Sequence, residues 1–485
     1  MKLPAADITV LLIYLVGVVG FGCWFVRRSR DTEGFMVAGR SLPGWALGLS
    51  MFGSYISSIS FLANPGKSYG SNWNPFVFSL ATPIAAAVAV KWFVPFYRRT
   101  GEVSAYEHLE HRFGGWARTY AVVCFLLTQM ARMGTVVYLL ALAVAPLVGW
   151  DVKIVILVAG TLMTTYTVLG GIRAVVWTGV LQSLVLVAGP LVCVAALLLK
   201  TPGGLLQILD VGWAEHKFSL GSLGPSLTQP TFWVVLVYGL VINLGNFGID
   251  QSYVQRYITA RNDREAAKSV WLAALLYVPT AAVFFFIGTS LFAFYGARPE
   301  LLGSVTQPDQ VFPHFIATQL PMGLAGLVVA AIFAASMDSN LNSMATLTLC
   351  DIYKRYIRPG AGEREAMRVL HVSTLLWGLL GTGVALAMIR AESALDVWWE
   401  MAGIFSGGML GLFLLGLISR RANSPAALTG VTVGILLIVW MSLSPHWDWL
   451  PEPLRSPLHS FMTIVVGTLS ILLVGLAVSR LTSRA

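Results

Sequence analysis

Three stretches of the sequence place polar chemistry inside apolar surroundings. In the first, residues 48–65, glycines and serines stand where an ordinary membrane helix has leucines and valines, and Asn64-Pro65 closes the run. A helix interrupted within a bilayer offers free carbonyl oxygens to a cation and free N–H groups to an anion. The second is Arg132, whose planar guanidinium can hold a carboxylate with two hydrogen bonds. The third is Asp338, which stands among hydroxyl and amide side chains, the chemistry of a cation or proton site.

Each feature also has a plain structural explanation. Small residues allow close packing between membrane helices, and Asp338 can make a polar contact between two helices. An arginine within a membrane segment costs several kcal/mol unless it finds a partner or water, so Arg132 can instead pair with Asp338 or Asp250. We favour an interrupted helix at 48–65 and an ion site at Asp338. Both interpretations of Arg132, solute clamp and internal ion pair, stay open.

The composition indicates that the surrounding solvent is lipid. Of 485 residues, 56% are hydrophobic and 11% are charged, and the mean hydropathy is +0.73. The net charge of +9 is spread over short clusters between apolar runs, which is a topology signal and not a nucleic-acid surface. No zinc-protease, P-loop or nucleophile-elbow motif occurs. We therefore expect an integral membrane protein that is not an enzyme and binds no nucleic acid.

We predict an all-α protein with about thirteen transmembrane helices, because a lipid-facing segment must satisfy its own backbone hydrogen bonds. The spans are 6–26, 44–63, 74–97, 117–148, 151–170, 174–199, 231–256, 267–295, 314–350, 367–390, 397–419, 424–442 and 459–479. Roughly 22 Lys and Arg residues lie in the loops of one side and about 8 in those of the other. The positive-inside rule then puts the amino terminus outside and the carboxyl terminus in the cytoplasm. We expect a multi-pass protein of the plasma membrane, the inner membrane in a bacterium.

The chain resembles the sodium/solute symporter family, and within it the sialic acid transporters most. The matching residues extend over nearly the whole length of the chain. They are 39–45 (GRSLPGW), 57–61 (SSISF), 104–110 (SAYEHLE), 170–172 (GGI), 176–178 (VWT), 254–258 (VQRYI), 326–335, 341–343 (LNS) and 351–353 (DIY).

The resemblance implies a LeuT-like core of two inverted five-helix repeats. Residues 44–199 form the first repeat and residues 200–422 the second. An extra helix and a cytoplasmic loop in 1–43 precede them, and two extra helices in 423–485 follow. The function implied is sodium-coupled uptake of a small, carboxylate-bearing solute by alternating access, with sialic acid or a sugar acid as the lead. The partners are the solute and membrane lipid, and no oligomeric state is predicted.

The resemblance also assigns roles to residues. The solute contacts fall on Ser57, Ser60 and Arg132, with Arg132 holding the carboxylate. Tyr55 and Ser79 stand at two further solute positions, where this chain differs from the sialic acid members. The Na⁺ ligands are the backbone carbonyls of Gly53 and Ile56, together with Ala335, Asp338 and Ser339 in the ninth span.

Two departures from the family pattern bear on ion coupling. The ninth span is about three residues shorter, so Asp338-Ser339 either replaces the family's hydroxyl pair or is a downstream Asp-Ser with that pair deleted. Gly179 stands where some members have an aspartate that supports a second sodium. We therefore expect one Na⁺ per solute. A monoanion moving with one Na⁺ carries no net charge, so the membrane potential contributes nothing.

Two other functions remain open at this point. One is a proton-coupled symporter of the same fold, in which Asp338 titrates. The other is a membrane sensor that binds a solute without moving it.

Overall fold

The fold is all-helical apart from one isolated β-bridge, in the part of the chain that the computed structural model describes. The described residues are 4–24, 31–303, 305, 307–336, 340–390, 394–447 and 449–482. Long apolar runs form helices because a helix bonds all its internal N–H and C=O groups within one segment. Leu12, Ile13 and Val16 of the first helix remain largely exposed, as expected of side chains that face lipid.

Among the described residues, the first half of the chain forms ten helices, and α8 and α9 are the two arms of one helical segment that turns at Gly171. The bounds are α1 Ala5–Trp24, α2 Thr32–Val37, α3 Gly44–Tyr55, α4 Ser58–Gly70, α5 Asn74–Thr100, α6 Glu107–Phe113, α7 Gly115–Val148, α8 Val152–Thr165, α9 Gly170–Lys200 and α10 Gly204–Ala214.

The second half forms ten more, of which α16 continues without a break as a wider helical turn over Thr348–Ile357. The bounds are α11 Phe232–Ile249, α12 Gln251–Thr259, α13 Asp263–Ala297, α14 Pro308–Gln319, α15 Leu324–Ser336, α16 Asn340–Leu347, α17 Glu363–Ala387, α18 Ala394–Ile418, α19 Ser424–Leu443 and α20 Met462–Thr482.

Ten helical stretches of the described chain are long and apolar enough to cross a membrane. The number rises to eleven if the bent pair α3–α4 counts as one span. Two further predicted spans, 151–170 and 397–419, coincide with the shorter apolar stretches Val152–Thr165 and Ser406–Ile418. The all-helical membrane fold is therefore as predicted, whereas the count of thirteen stays a prediction.

Two predicted spans have different limits in the structure. The span predicted at 314–350 merges two elements, because α14 ends at Gln319 and α15 begins at Leu324. Gly323 between them has a φ of 87°, which a residue with a side chain rarely adopts. The span predicted at 231–256 is interrupted at Asp250, which ends α11 and begins α12.

The interrupted pair α3–α4 lies at the centre of the bundle. Both helices pack against α13, while α3 also packs on α9. The peripheral helix α1 packs on the segment that α8 and α9 form together and on α15. Its Asp7 is 1% exposed, and Oδ1 of this residue accepts hydrogen bonds from the backbone N–H groups of Gly323 (2.7 Å) and Gly326 (2.6 Å). A side chain of α1 thus caps the amino-terminal end of α15.

Two ends of the bundle are distinguished below. The outer end carries residues 215–231 and 449–461, and the inner end carries residues 101–114 and 348–362. The names outer and inner follow the orientation that the positive charge of the loops predicts, and this orientation stays a prediction.

Candidate functional site

A cavity of about 640 Å³ extends from the gap between α3 and α4 toward the outer end of the bundle. Its inner part is lined by residues of α3, α4 and α7. Pro230 and His459, from the loops of the outer end, line its other part. The volume is in the range of pockets that hold small molecules.

The gap itself is two residues long, at Ile56 and Ser57. Both have extended backbone angles (φ −98°, ψ 108° and φ −105°, ψ 174°), and the axes of α3 and α4 differ by 55°. The predicted interruption is present. Since a helix end leaves backbone groups without intrahelical partners, the gap presents carbonyls from α3 and N–H groups from α4 at one place.

Arg132 lies on α7 and faces this gap. Its Nη2 donates to the backbone carbonyl of Ser54, 2.8 Å away, near the end of α3. The hydroxyl of Ser54 in turn accepts a 2.8 Å hydrogen bond from Nη2 of Arg256, a side chain that is 1% exposed. Ser54 therefore joins a guanidinium on the cavity wall to another guanidinium buried behind it.

Asp250, at the second helix interruption, also lines the cavity. Its Oδ1 accepts hydrogen bonds from the backbone N–H of Ser252 (2.8 Å) and from the Ser252 hydroxyl. The Asp250 side chain thereby caps the amino-terminal end of α12. Its Oδ2 accepts from Nε2 of Gln129 at 2.8 Å, and Oε1 of Gln129 accepts from Asn340 of α16. Gln129 is one helical turn before Arg132 on α7, so these two residues share one face.

Aromatic rings form a third part of the wall. The ring of Tyr55 lies 5.3 Å from that of Tyr253 and 5.0 Å from that of Tyr277, measured between centroids. All three tyrosines line the cavity. Tyr55 is 8% exposed, and its hydroxyl makes no hydrogen bond of ordinary geometry within the described residues. A bound solute can supply that partner.

Charged and titratable groups stand at the entrance. Lys67, near the end of α4, lines the cavity and is exposed to solvent. Burial raises the pKa of Asp309, and the charge of Lys67 opposes that rise. Burial lowers the pKa of His459, which disfavours the charged form of its ring. The entrance thus places the ammonium group of Lys67 on the path to Arg132, with the carboxyl of Asp309 near it.

The five predicted solute contacts lie on this one cavity. They are Tyr55, Ser57, Ser60, Ser79 and Arg132. Asp250, which was a possible ion-pair partner of Arg132, lines the same cavity. Their assignment as solute ligands stays a prediction, because lining a cavity is not the same as binding.

The predicted ion ligands are only partly within the described residues. Gly53 is in the last turn of α3, and Ile56 is in the gap. Ala335 is buried near the end of α15. Asp338 and Ser339 lie outside the described residues.

The structure gives a physical reason for the glycine at position 179. A Cβ atom built there lies 2.8 Å from Oγ and 3.2 Å from Cα of Ser50, on the facing helix α3. Ser183, one turn later on α9, donates to the Leu49 carbonyl at 2.7 Å. Helices α3 and α9 are therefore closely packed, and a side chain at position 179 fits only if the Ser50 hydroxyl rotates and the helices separate by a few tenths of an ångström.

A charged cluster closes the inner end. Asp351 accepts hydrogen bonds from the Ser104 hydroxyl (2.8 Å) and from Nε of Arg118 (2.5 Å). Glu110 accepts from Nη1 of Arg118 (2.9 Å) and from Nη2 of Arg355 (2.6 Å). These residues come from α7, the loop that contains α6, and the helical turn after α16, so the cluster joins three elements.

Helix α12 is fastened to the same end by two glutamines. Oε1 of Gln251 accepts from the backbone N–H of Ala105 (2.7 Å), and Nε2 of Gln255 donates to the Met36 carbonyl (2.6 Å). Both glutamines are fully buried. The cavity thus opens toward one end of the bundle, and these contacts close the other end.

Several cavity residues were not found from the sequence. Each of them lies in an apolar or mixed run without a motif. They are Gln129, Tyr253, Tyr277 and Asn246. Asp250 was named only as a possible partner of Arg132, and the helix start there had one signal, since aspartate is a preferred N-cap residue.

The chain is similar to known proteins over most of its length. A model of the sodium:solute symporter family matches residues 35–434. The sodium/sialic acid symporter NanT of Aliivibrio fischeri is 33% identical over 472 residues, which are 96% of this chain and 91% of that protein. The sodium/sialic acid symporter SiaT of Proteus mirabilis is 32% identical over 473 residues, with 96% and 93% covered.

Solved structures show the same fold. A Na⁺-coupled sialic acid symporter in a substrate-bound, outward-open state superimposes with a TM-score of 0.92 at 30% identity, covering 99% of this chain and 98% of that one. A nucleobase-cation-symport-1 family transporter in a closed conformation superimposes with a TM-score of 0.57 at 17% identity, with 94% and 95% covered.

Proposed function

The chain belongs to the sodium:solute symporter family, and from that premise we propose that it is a sodium-driven symporter of a small carboxylate-bearing solute. Sialic acid is the leading candidate, since it is what the related symporters NanT and SiaT are named for. Sugar acids are the next candidates.

The observation that carries this proposal is the composition of the cavity wall. One space of about 640 Å³ is lined by the Arg132 guanidinium and by four hydroxyl-bearing side chains. Three of these come from the interrupted segment and its flanks (Tyr55, Ser57, Ser60), and the fourth is Ser79. Such a space suits a polyhydroxylated acid, because the cation binds the carboxylate and the hydroxyls bind the hydroxyl groups of the solute.

The helix ends add to binding in two ways. The amino-terminal end of α4 carries a partial positive charge that favours an anion. The carboxyl-terminal end of α3 carries a partial negative charge and free carbonyls that favour a cation. We assign Na⁺ to the carbonyls of Gly53 and Ile56 and to the ninth-span residues Ala335, Asp338 and Ser339. We assign the solute carboxylate to Arg132.

Transport then requires the inner end to open once solute and ion are bound. In the structure the inner end is held by the Asp351–Arg118 contact and by the buried amides of Gln251 and Gln255. Solute and Na⁺ release follows when these contacts break and the outer end closes. We propose thirteen spans arranged as two inverted repeats with flanking helices, an external amino terminus, and one Na⁺ per solute.

A competition experiment on the purified protein tests the solute class. Thermal unfolding is followed in NaCl and in choline chloride, with N-acetylneuraminate, gluconate, glucuronate, glucose and leucine added singly. We expect a rise in the unfolding midpoint only with a carboxylate-bearing sugar, and only in NaCl. Stabilisation by glucose, or equal stabilisation by the acids in choline, contradicts the proposal.

A further inference from the structure

We propose that a groove between helices, open to the side of the bundle, binds one acyl chain of a membrane phospholipid. The groove is a cavity of about 460 Å³, and within the described residues it shares no lining residue with the solute cavity. It is lined by α1 from Ile8 to Gly20, by the end of α7, by α8 and by Phe333 of α15. The proposal does not depend on which solute the protein carries.

The lining of the groove has the chemistry of hydrocarbon. Every lining residue among those described is apolar. Leu15, Val155 and Phe333 are buried, whereas Leu12 and Val16, well inside α1, are exposed. The groove therefore has a floor within the bundle and an opening toward the lipid. Water finds too few hydrogen-bond partners in such a space, so a hydrocarbon chain is the favoured occupant.

The dimensions of the groove suit a single chain. Ile8 and Gly20 are about 18 Å apart along the axis of α1, and one leaflet supplies about half of a hydrocarbon core about 30 Å thick. Spread over that length, 460 Å³ gives a mean cross-section of about 25 Å². An extended acyl chain, about 5 Å across at the contact distances of carbon, fits that section. A helix of a second copy, about 10 Å across or more, does not.

One end of the groove lies at the level of the membrane surface. Trp150, between the end of α7 and the start of α8, lines the groove and is 47% exposed. Asp151 and Lys153 follow it and are exposed. Tryptophan is typical of the boundary between headgroups and hydrocarbon. The groove thus extends from that boundary toward the bilayer centre, which is the course of an acyl chain whose headgroup stays at the surface.

A chain in the groove fills space that three helices leave open. Atoms that line a void lose the dispersion contacts of close packing, and an acyl chain restores them on α1, α8 and α15 together. Lipid tails are as apolar as the lining, so the preference for the groove comes from this fit and not from the hydrophobic effect. Phe333 is two residues before Ala335 on α15, so the chain packs behind the segment to which we assign Na⁺.

The competing explanation is an ordinary lipid-facing surface, which lipids cover without preference. Photo-crosslinking of the full-length protein in detergent-free vesicles separates the two explanations. The vesicles contain phosphatidylethanolamine and phosphatidylglycerol, with a small share of a phosphatidylcholine that carries a diazirine in the middle of one acyl chain. Mass spectrometry locates the label. We expect residues 8–20 and 144–162 to be labelled more than the segment of α17 around Leu375 and Leu379, which are exposed and lie outside the groove.

Variants that fill the groove from either side have matched controls. Leu12→Trp and Val158→Trp place an indole in the groove from α1 and from α8. Ile13→Trp and Leu157→Trp place one at the neighbouring exposed positions, which do not line it.

Labelling is measured on the wall opposite each substitution, so that the new side chain does not alter the peptide that is compared. Leu12→Trp is followed on residues 144–162 and Val158→Trp on residues 8–20. We expect labelling of the opposite wall to fall about fivefold in these two variants, and to stay at the parental level in Ile13→Trp and Leu157→Trp. Labelling of the α17 segment should be the same in all five proteins.

A benzoylphenylalanine at position 16, on the exposed rim, distinguishes the occupants directly. A phospholipid adduct supports the proposal, and a covalent dimer of the chain overturns it in favour of a second copy. The proposal is also overturned if the parent labels the groove no more than the α17 segment, or if filling the groove leaves the opposite wall labelled as before. The comparison within the parent protein decides the matter even where a filled variant does not fold.

Discussion

Nη2 of Arg132 lies 2.8 Å from the backbone carbonyl oxygen of Ser54 and donates a hydrogen bond to it. Ser54 is the next-to-last residue of α3, so its carbonyl is among the four that a helix end leaves without an intrahelical donor. The contact attaches α7 to the interrupted segment. It also holds the guanidinium in place at the cavity wall before any solute arrives, which lowers the entropy lost on binding.

The first prediction concerns this guanidinium. Arg132→Lys keeps a positive charge but loses the planar fork that binds a carboxylate through two hydrogen bonds. Because a hydrogen bond to a charged group is worth about 1.5–3 kcal/mol, we expect the KM for a carboxylate-bearing solute to rise about tenfold to a hundredfold. Initial uptake rates in vesicles measure the change. Arg99→Lys, at an exposed inner-end position, is the control and should leave the KM unaltered.

The second prediction concerns the cap that α1 provides. Asp7→Ala removes the acceptor for the N–H groups of Gly323 and Gly326, whereas Asp7→Asn retains it. A lost cap costs about 0.5–2 kcal/mol, so the alanine variant should unfold at a lower temperature and the asparagine variant close to the parent. Thr9→Ala, an exposed position on the same helix, serves for comparison. Equal midpoints for all four proteins exclude the capping role.

The third prediction is a pH dependence of stability. Burial, helped by the charge of Arg112, lowers the pKa of His108 from 6.5 to about 4. The ring packs against Phe96, 4.7 Å between centroids. Between these two values the unfolded chain binds more protons than the folded one, so His108 makes the fold less stable as the pH falls from about 6.5 toward 4.

His108→Phe should remove this contribution, because phenylalanine keeps the aromatic packing and does not titrate. Thermal unfolding of parent and variant between pH 4 and pH 8 checks it. The difference between their unfolding midpoints should be constant above pH 7. As the pH falls below about 6.5, the midpoint of the parent should fall relative to that of the variant. A difference that does not depend on pH contradicts the assignment.

The fourth prediction concerns the cluster at the inner end. Asp351 is 3% exposed and bonds both Arg118 and Ser104. Asp351→Asn leaves Arg118 with Glu110 and Glu107 as its carboxylate partners, at a cost of about 3 kcal/mol or less. We expect lower thermal stability and a shift toward an inward-open state.

Labelling of a cysteine at position 105 reports that shift. Ala105 is fully buried beside the cluster, so Ala105→Cys in a background without other cysteines should react with a membrane-impermeant maleimide faster when Asp351→Asn is present. Asp263→Asn is the matched control, because Asp263 pairs with Arg98 through a side chain that is 72% exposed and such pairs contribute little. Equal labelling rates in the two variants contradict a sealing role for Asp351.

The sequence predicted the parts of the site that depend on local chemistry. The run of glycines and serines at 48–65 marked the interruption between α3 and α4, because those residues weaken a helix wherever it is placed. Arg132 was evident since a charge in an apolar run has few structural uses. These features do not depend on which helices become neighbours.

The parts that depend on neighbours were not predicted. The interruption at Asp250 lies in a run that is apolar up to a single aspartate, so residues 231–256 resembled one span. Gly179 was recognised only as a missing carboxylate, whereas its close contact with Ser50, which favours a glycine, comes from the packing of α3 against α9. Gln129 gained a role only through the position of Asp250 on another helix.

The central claim is that sodium drives a carboxylate-bearing solute through the cavity that Arg132 lines. Its most direct test is uptake of radiolabelled N-acetylneuraminate into proteoliposomes under an inward Na⁺ gradient, with a K⁺ gradient and a proton gradient as alternatives. The account predicts accumulation only with the Na⁺ gradient, no effect of an imposed potential on this monoanion, and loss of accumulation in Arg132→Ala. Uptake that a proton gradient drives without Na⁺, or binding without any accumulation, contradicts it.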